Sequence, residues 1–251
     1  MKIFLLPATI LGLIGITAQQ AQAASFAPTD LDALSLGATI VGPVGPEVET
    51  TFVNADGEGI GDLTSSVSCP AGFSACVPPE NPASTIYTYI HQVTPGVDLP
   101  NDPPFPAPGV VLPIDDAEVF KLTFPAEGFN GVAGFSFSEA AAALAPESEF
   151  TVEEAGDGSL VWKTSDAAGW GTGETISFFW QTTQNPSGPG GIYSLAGDGQ
   201  TSTANGPLPT PVVVEVEQPG VEVPEPGAIA PLALLGTALL LKRRGSGSAT
   251  V

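Results

Sequence analysis

The sequence predicts an all-β protein, an antiparallel β-sandwich, enclosed by two segments that handle membranes. Short stretches rich in β-branched and aromatic residues alternate with Gly- and Pro-rich turns along the central part of the chain. No long amphipathic helix interrupts them. The chain is 43% hydrophobic, which is enough to fill a core despite its strong acidity. About ten short strands at this spacing are typical of a sandwich.

The N-terminus has the pattern of a secretory signal peptide over residues 1–23. Lys2 forms a minimal positive region, residues 3–16 form the apolar region, and Ala21-Gln22-Ala23 is an A-x-A cleavage site. We expect signal peptidase to cleave after Ala23, so that the mature chain begins at Ala24. The alternative is an uncleaved N-terminal anchor, which a positive region of only one lysine leaves open.

The first half of the body contains three strand candidates. Residues 34–41 and 48–53 are separated by a Gly-Pro-rich stretch, and residues 54–59 form a turn. Residues 84–93 have the clearest alternation, which places Ile86, Thr88 and Ile90 on one face and Tyr87, Tyr89, His91 and Val93 on the other.

A proline-dense stretch then predicts a long ordered loop, because proline cannot join a central strand. This loop covers residues 95–108, and the strand candidates that follow are residues 110–112, 118–124 and 132–137. Residues 139–144 are Ala-rich and predict one or two helical turns that end before Pro146.

The last third of the body is the most regular. Residues 150–153 and 160–163 flank a Gly-Asp-Gly turn and predict a hairpin. Residues 175–182 predict a strand with Ile176, Phe178 and Trp180 on one face. A loop over residues 185–191 and a returning strand over 192–195 complete the ectodomain, which spans residues 24–205.

Cys69 and Cys76 are the two cysteines of the chain, and they enclose six residues. In an exported protein such a close pair predicts one disulfide that constrains a local loop. The alternative, a metal site, has no further Cys or His nearby to support it.

The charge of the exported part excludes nucleic-acid binding. Residues 24–226 hold all 27 acidic residues against only Lys121 and Lys163, which is a difference of 25 negative charges. Such a surface repels DNA, RNA and anionic membranes and keeps the protein soluble. The same acidity attracts divalent cations, but a solvated surface without dedicated ligands explains it equally well.

No catalytic constellation emerges from the sequence, so we expect no enzymatic activity and no cofactor. His91 is the one histidine, and no Ser–Asp pair can be assigned to it by spacing. Asn54, Asp56, Glu58 and Asp62 have the spaced oxygens of a calcium loop, yet Ser65 occupies the position of the bidentate glutamate. A turn is therefore the favoured interpretation.

The three tryptophans suggest an alternative function in carbohydrate binding. Trp162 and Trp180 fall on predicted strands and are expected in the core. Trp170 lies between two glycines in a predicted loop, so it is the candidate for an exposed sugar-binding platform. Glycan or calcium binding by the ectodomain, and a secreted hydrolase, remain open alternatives.

The C-terminal segment begins with a Pro-, Val- and Glu-rich spacer over residues 206–222. Pro224-Glu225-Pro226 follows, then an apolar run over residues 228–241, then Lys242-Arg243-Arg244. Fourteen residues give roughly 21 Å of helix against a hydrocarbon core of about 30 Å, so this predicted transmembrane helix is short. The three cations place the C-terminus on the cytoplasmic side.

Residues 223–246 resemble the PEP-CTERM sorting signal that exosortase-type transpeptidases recognise in bacteria. The resemblance implies an exported protein that passes the inner membrane transiently and reaches the cell surface or extracellular matrix, where exopolysaccharide is a possible partner. The alternative is a simple C-terminal anchor. Residues 162–193 are also similar to the closing hairpin of Ig-like ectodomains in exosortase substrates, which favours an Ig-like or jelly-roll-like sandwich.

Overall fold

The computed structural model describes residues 23–40, 48–78, 80–145, 149–164 and 170–211. These residues form thirteen β-strands, one 3₁₀ turn and one short α-helix, so the all-β prediction is confirmed. The strands are β1 (Ala24–Phe26), β2 (Thr29–Asp30), β3 (Leu36–Thr39), β4 (Val48–Asn54), β5 (Gly59–Pro70), β6 (Tyr87–Pro95), β7 (Ala117–Leu122), β8 (Phe129–Phe135), β9 (Phe150–Glu154), β10 (Leu160–Thr164), β11 (Ile176–Thr182), β12 (Pro186–Gly197) and β13 (Gln200–Pro209). The 3₁₀ turn is Leu31–Ala33, and the helix is α1 (Phe137–Ala143).

Hydrogen bonds join all thirteen strands into one curled sheet. Its order is β1-β9-β10-β7-β12-β13-β4-β5-β6-β11-β8-β2, and β3 pairs with β5 beside this path. Every pairing is antiparallel except that of β2 with β8. The sequence predicts two packed sheets, whereas the structure has one sheet whose inner face folds onto itself. Alternation of apolar and polar residues along a strand indicates only that one face of the strand is buried. It therefore cannot distinguish two packed sheets from one curled sheet.

Residues 24–30 link the two ends of this sheet. β1 pairs with β9, with Ala24 opposite Glu154, and β2 pairs with β8, with Thr29 opposite Gly134. Phe26 packs on Phe129 with ring centroids 5.7 Å apart. We call residues 24–30 the N-terminal strap, because they cover both sheet edges with a single stretch of chain.

Aromatic side chains fill the space inside the curl. Phe120 on β7 lies at the centre and is fully buried. Its ring centroid is 4.9 Å from that of Phe178, 5.4 Å from that of Trp162 and 6.0 Å from that of Tyr193. Trp162 and Tyr193 lie on β10 and β12, the two neighbours of β7, whereas Phe178 lies on β11 in a distant part of the sheet, so the curl brings the two parts together at Phe120. Such contacts contribute about 0.5–1.5 kcal/mol per pair beyond simple burial.

Most predicted elements are present with shifted ends. β3, β4, β6, β7, β8, β9, β10 and β11 each overlap a strand candidate, and α1 overlaps the predicted helical turns. On β6, Tyr87, Tyr89, His91 and Val93 are buried as the alternation predicts. Residues 96–108 form the predicted ordered loop between β6 and β7.

Four parts of the sequence-based assignment are wrong. β5, with twelve residues, has no counterpart in the prediction, because its Gly, Ser, Asp and Pro residues are not typical of strands. The predicted loop 185–191 belongs to β12, with a bulge between Ser187 and Gly191. The predicted strand 110–112 is only an isolated bridge between Gly59 and Val111. The predicted spacer boundary at residue 205 falls inside β13, which continues to Pro209.

The chain enters and leaves the described body at the same end of the sheet. β1 starts at Ala24, beside the last residue of β9. Following the antiparallel pairs from β9 through β10, β7 and β12 to β13 shows that β13 runs in the direction of β9 and therefore ends at this same end. The turns that carry Asp56 and Asp198 lie at the opposite end.

Candidate functional site

His91 is the one histidine of the chain, for which the sequence predicts no catalytic role, and the structure places it in the core. The imidazole is fully buried. Its Nδ1 lies 3.0 Å from Oγ of Ser65, and its Nε2 accepts a hydrogen bond of 3.3 Å from the indole N–H of Trp180. Its ring centroid lies 4.3 Å from that of Tyr193.

This geometry assigns the tautomer of His91 and excludes a nucleophile–base pair. Because Nε2 accepts from Trp180, the proton of the neutral ring lies on Nδ1 and is donated to Ser65. A general base needs the reverse arrangement, in which the serine donates. Burial lowers the pKa of His91 to about 3, and both Ser65 and His91 are closed off from solvent. The pair therefore stabilises the core by satisfying buried polar groups. Ser65 lies on β5, the strand that the prediction missed.

Trp170 is a core residue, so its predicted role as an exposed sugar platform is wrong. Its side chain is fully buried and packs against Phe150 and Phe178, with centroid distances of 5.8 and 5.4 Å. Its indole N–H donates to the carbonyl of Glu174 at 3.0 Å. Neither ring face is available to a sugar. Trp162 and Trp180 are also fully buried, as the sequence predicts.

Residues 54–59 form the predicted turn and not a calcium loop. The side-chain oxygen of Asn54 accepts from the backbone N–H groups of Asp56 and Glu58, both at 3.0 Å. Gly57 has a positive φ of 82°, which glycine adopts without strain. The side-chain oxygen of Asn54 is therefore occupied by hydrogen bonds within the turn itself. Within the described part of the chain, no group of three or more His, Cys, Asp and Glu side chains is arranged to hold a metal ion.

Several carboxylates fasten the loop 96–108 onto β4 and β5. Asp62 on β5 is buried and accepts from the backbone N–H of Leu99 at 3.0 Å. Thr51 donates to Asp98 at 2.5 Å, and the backbone N–H of Glu49 donates to Asp102 at 3.1 Å. Burial raises the pKa of Asp62, against the lowering effect of its hydrogen bonds. These acids act as structural acceptors.

The predicted disulfide between Cys69 and Cys76 is present, and both cysteines are buried. The side-chain amide of Asn81 lies against it, with Nδ2 3.3 Å from Sγ of Cys69. The same amide donates to the hydroxyl of Tyr87 at 3.2 Å, and that hydroxyl donates to Asn185 at 2.8 Å. The sequence gives no signal for this role of Asn81, because no regular repeat links this loop residue to Cys69 and Tyr87, which lie 12 and 6 residues away.

An apolar cleft of about 280 Å³ lies beside α1. Phe135, Phe137 and Phe150 provide most of its aromatic surface, and Phe137 is 41% exposed. The cleft also borders Pro28 of the N-terminal strap and Glu149. It offers apolar contact and one carboxyl group, without the set of positioned polar groups that substrate sites typically contain.

The predicted processing residues lie almost entirely outside the described residues. Ala21, the triplet Pro224-Glu225-Pro226, the apolar run 228–241 and Lys242-Arg243-Arg244 all fall there, whereas Ala23 is described and exposed. In the ranges that the structure describes, no helix has the length and apolarity needed to cross a bilayer.

Comparison with known proteins gives no further guidance on the site. No protein-family model, no curated protein and no solved structure matches this chain.

Proposed function

We propose that this protein is a non-enzymatic, exported bacterial protein of structural or interaction type, sorted to the cell surface or extracellular matrix by an exosortase acting at Pro224-Glu225-Pro226. The observation that carries the proposal is the order of three sequence features near the C-terminus: the triplet, the apolar run 228–241 and the basic cluster Lys242-Arg243-Arg244. Together they match the requirements of a temporary membrane stop.

Three features of the described body support this proposal. The disulfide fits an oxidising compartment outside the cytoplasm. The buried His91–Ser65 pair has the wrong proton arrangement for a general base. The first strand of the body begins at Ala24 and the last ends at Pro209, both at one end of the sheet, which fits a protein that is processed at both chain ends.

Mass spectrometry of the protein isolated from cells that contain an exosortase tests the proposal. We expect the mature chain to begin at Ala24 and to lack the apolar run 228–241 and the basic residues after it. A chain with Pro224→Ala and Pro226→Ala is the test variant, and we expect it to keep its C-terminus and remain in the membrane fraction.

Pro211→Ala with Pro219→Ala is a matched control, because it removes two prolines upstream of the triplet and leaves the buried Pro207 of β13 in place. We expect this control to be processed like the wild type. A wild-type chain that still ends at Val251 would show that the C-terminal segment 223–246 is a simple anchor. Turnover of polysaccharide or ester substrates by the purified protein would contradict the non-enzymatic assignment.

A further inference from the structure

We propose that Asn130-Gly131 is a site of spontaneous, structure-directed deamidation, and that the second Asn-Gly pair of the described body, Asn205-Gly206, is protected by the fold. The modification would convert Asn130 to aspartate or isoaspartate on the outside of β8. The inference does not depend on the sorting proposal.

The backbone around Asn130 is irregular. On β8, Ala133 pairs with Trp180 and Phe129 pairs with Thr182, so the three residues between them face the single residue Gln181. This is a bulge, in which the regular ladder of hydrogen bonds is interrupted. Gly131 has a φ of 89°, and a side chain added there would meet no atom within 4 Å. The backbone at this point therefore has room to move.

The side chain of Asn130 is exposed and is held close to the backbone that follows it. Both Asn130 and Gly131 are exposed. The side-chain oxygen of Asn130 accepts from the backbone N–H of Val132 at 3.0 Å, and its nitrogen donates to Gln181 at 3.2 Å. The bond from Val132 draws the side-chain carbonyl towards the backbone that follows it and makes its carbon more electrophilic. That carbon is the atom that the backbone nitrogen of Gly131 must reach.

The chemistry requires only water. The backbone nitrogen of Gly131 loses its proton to solvent base and forms a bond to Cγ of Asn130. The side-chain nitrogen then takes up a proton from water, its bond to Cγ breaks, and it leaves as ammonia. The resulting five-membered succinimide then adds water at either carbonyl. Opening at one carbonyl gives aspartate, and opening at the other gives isoaspartate, with no oxidant or reductant involved.

Asn205-Gly206 has the same dipeptide in the opposite environment. Asn205 pairs with Ile192 and Gly206 pairs with Gly191, and the bulge of this hairpin lies beyond these two pairs, in residues 188–190 of β12. Gly206 is buried, and its α-carbon faces the ring of Tyr193 so closely that an added Cβ would lie 2.6 Å from it. The carbonyl of Asn205 accepts from Thr50 at 2.6 Å. Ring closure here would break the ladder.

The two lysines of the body allow trypsin to separate the two Asn-Gly sites into different peptides. Trypsin cleaves after Lys121 and Lys163, so Asn130 lies in peptide 122–163, where it is the one asparagine, and Asn205 lies in the peptide that follows. The folded protein is incubated in mildly alkaline buffer, and the two peptides are analysed by mass spectrometry over time. We expect deamidation at Asn130 to be at least about tenfold faster than at Asn205, the ratio that a barrier difference of 1.36 kcal/mol produces.

The same incubation in denaturant, after reduction of the disulfide, is the matched control. There the two Asn-Gly sites have lost their folded environments, and we expect their rates to converge. Gly131→Ser is the test variant in the folded protein, because a side chain next to the reacting nitrogen slows ring closure, and we expect less modification in peptide 122–163. Circular dichroism checks that this variant is folded.

Two outcomes would overturn the proposal. One is equal rates at Asn130 and Asn205 in the folded protein. The other is an Asn130 that stays intact in the folded protein and reacts only when unfolded, since the bulge would then protect the site.

Discussion

Protonation of His91 would place a positive charge among groups that cannot solvate it. Ser65, Trp180 and Tyr193 surround the imidazole, and none of these groups is charged at neutral pH. The folded protein therefore holds His91 neutral down to a pKa of about 3, whereas the unfolded chain takes up the proton near pH 6.5. The contribution to stability is fully present above pH 6.5 and is lost as the pH falls towards 3.

We predict that His91 makes the protein acid-sensitive. Between pH 6.5 and the lower pKa, the free energy of unfolding should fall by about 1.4 kcal/mol per pH unit from this residue. Urea denaturation of the wild type and of His91→Gln across this range measures the effect. His91→Gln should be less stable at neutral pH, with a shallower decline towards acid. Parallel curves for the two proteins would contradict the prediction.

Phe120 is the residue whose loss should weaken the core most directly. Phe120→Ala removes a ring that contacts aromatic side chains from several strands, and we expect it to lower the free energy of unfolding by about 3–5 kcal/mol. Val110, which is 54% exposed, supplies the control: Val110→Ala should change stability by no more than about 0.5 kcal/mol. Chemical denaturation compares both variants, and equal effects would show that Phe120 is not central.

At the scale of elements, the N-terminal strap joins edges that would otherwise stay open. Gly134 on β8 is essential for this contact, because a Cβ at that position would lie 1.9 Å from the carbonyl oxygen of Thr29. Asp32, just after the strap, accepts from the hydroxyls of Ser136 and Ser138 at the start of α1. These hydrogen bonds lower the pKa of the Asp32 carboxyl. The strap is thus attached at both sheet edges and beside α1.

We predict that Gly134→Ala detaches β2 from β8. The added methyl group forces the strap away, and the expected cost is about 1–3 kcal/mol. Amide hydrogen exchange should show faster exchange in residues 24–30. Gly188→Ala is the control, because its added Cβ meets nothing within 4 Å, and it should leave exchange in the strap unchanged. Unchanged protection of the strap in Gly134→Ala would refute the prediction.

The disulfide should act locally. Replacing Cys69 and Cys76 together by alanine should cost about 2–3 kcal/mol, since the closed loop is short. We expect the loss of hydrogen-exchange protection to centre on residues 70–87, where Asn81 contacts both the disulfide and Tyr87. Adding reductant to this double variant should change nothing further. Uniform loss of protection across the sheet would indicate a global role instead.

The sequence predicted strands well where large side chains alternate, as on β6 and β11. It failed on β5, whose burial comes from pairing with β4 and β6 on either side and not from large apolar residues. It also failed on Trp170, because two neighbouring glycines indicate a loop but do not indicate whether the ring points inwards. His91 and its buried partner Ser65 lie 26 residues apart in the chain, so local patterns cannot identify this pair.

For the whole molecule, charge is the dominant surface property. The formal net charge is −21, and Lys121 and Lys163 are the two basic residues among residues 24–226. Like charges at this density repel one another in the compact state. Asp116 shows the effect locally: burial first, and then the neighbouring carboxylates of Glu118 and Asp198, raise the pKa of its carboxyl.

We predict that salt stabilises this protein. Raising the NaCl concentration from about 10 mM to about 100 mM shortens the Debye length from about 30 Å to about 10 Å, which screens the repulsion. The thermal midpoint should rise over this range, and choline chloride should act equally. A midpoint that responds to Ca²⁺ at low concentration but not to monovalent salt would indicate a specific cation site.

The strap also has a consequence for the time at which the fold can close. Chains are made from the N-terminus, and β1 precedes its partner position on β9 by 130 residues, from Ala24 to Glu154. β4 similarly pairs with β13, so it lacks that neighbour until residue 203 has emerged. The early strands therefore stay unpaired until the later strands have been synthesised. Residues 24–30 are among the first of the body to be synthesised, yet they can occupy both of their places only after residue 154 has been made.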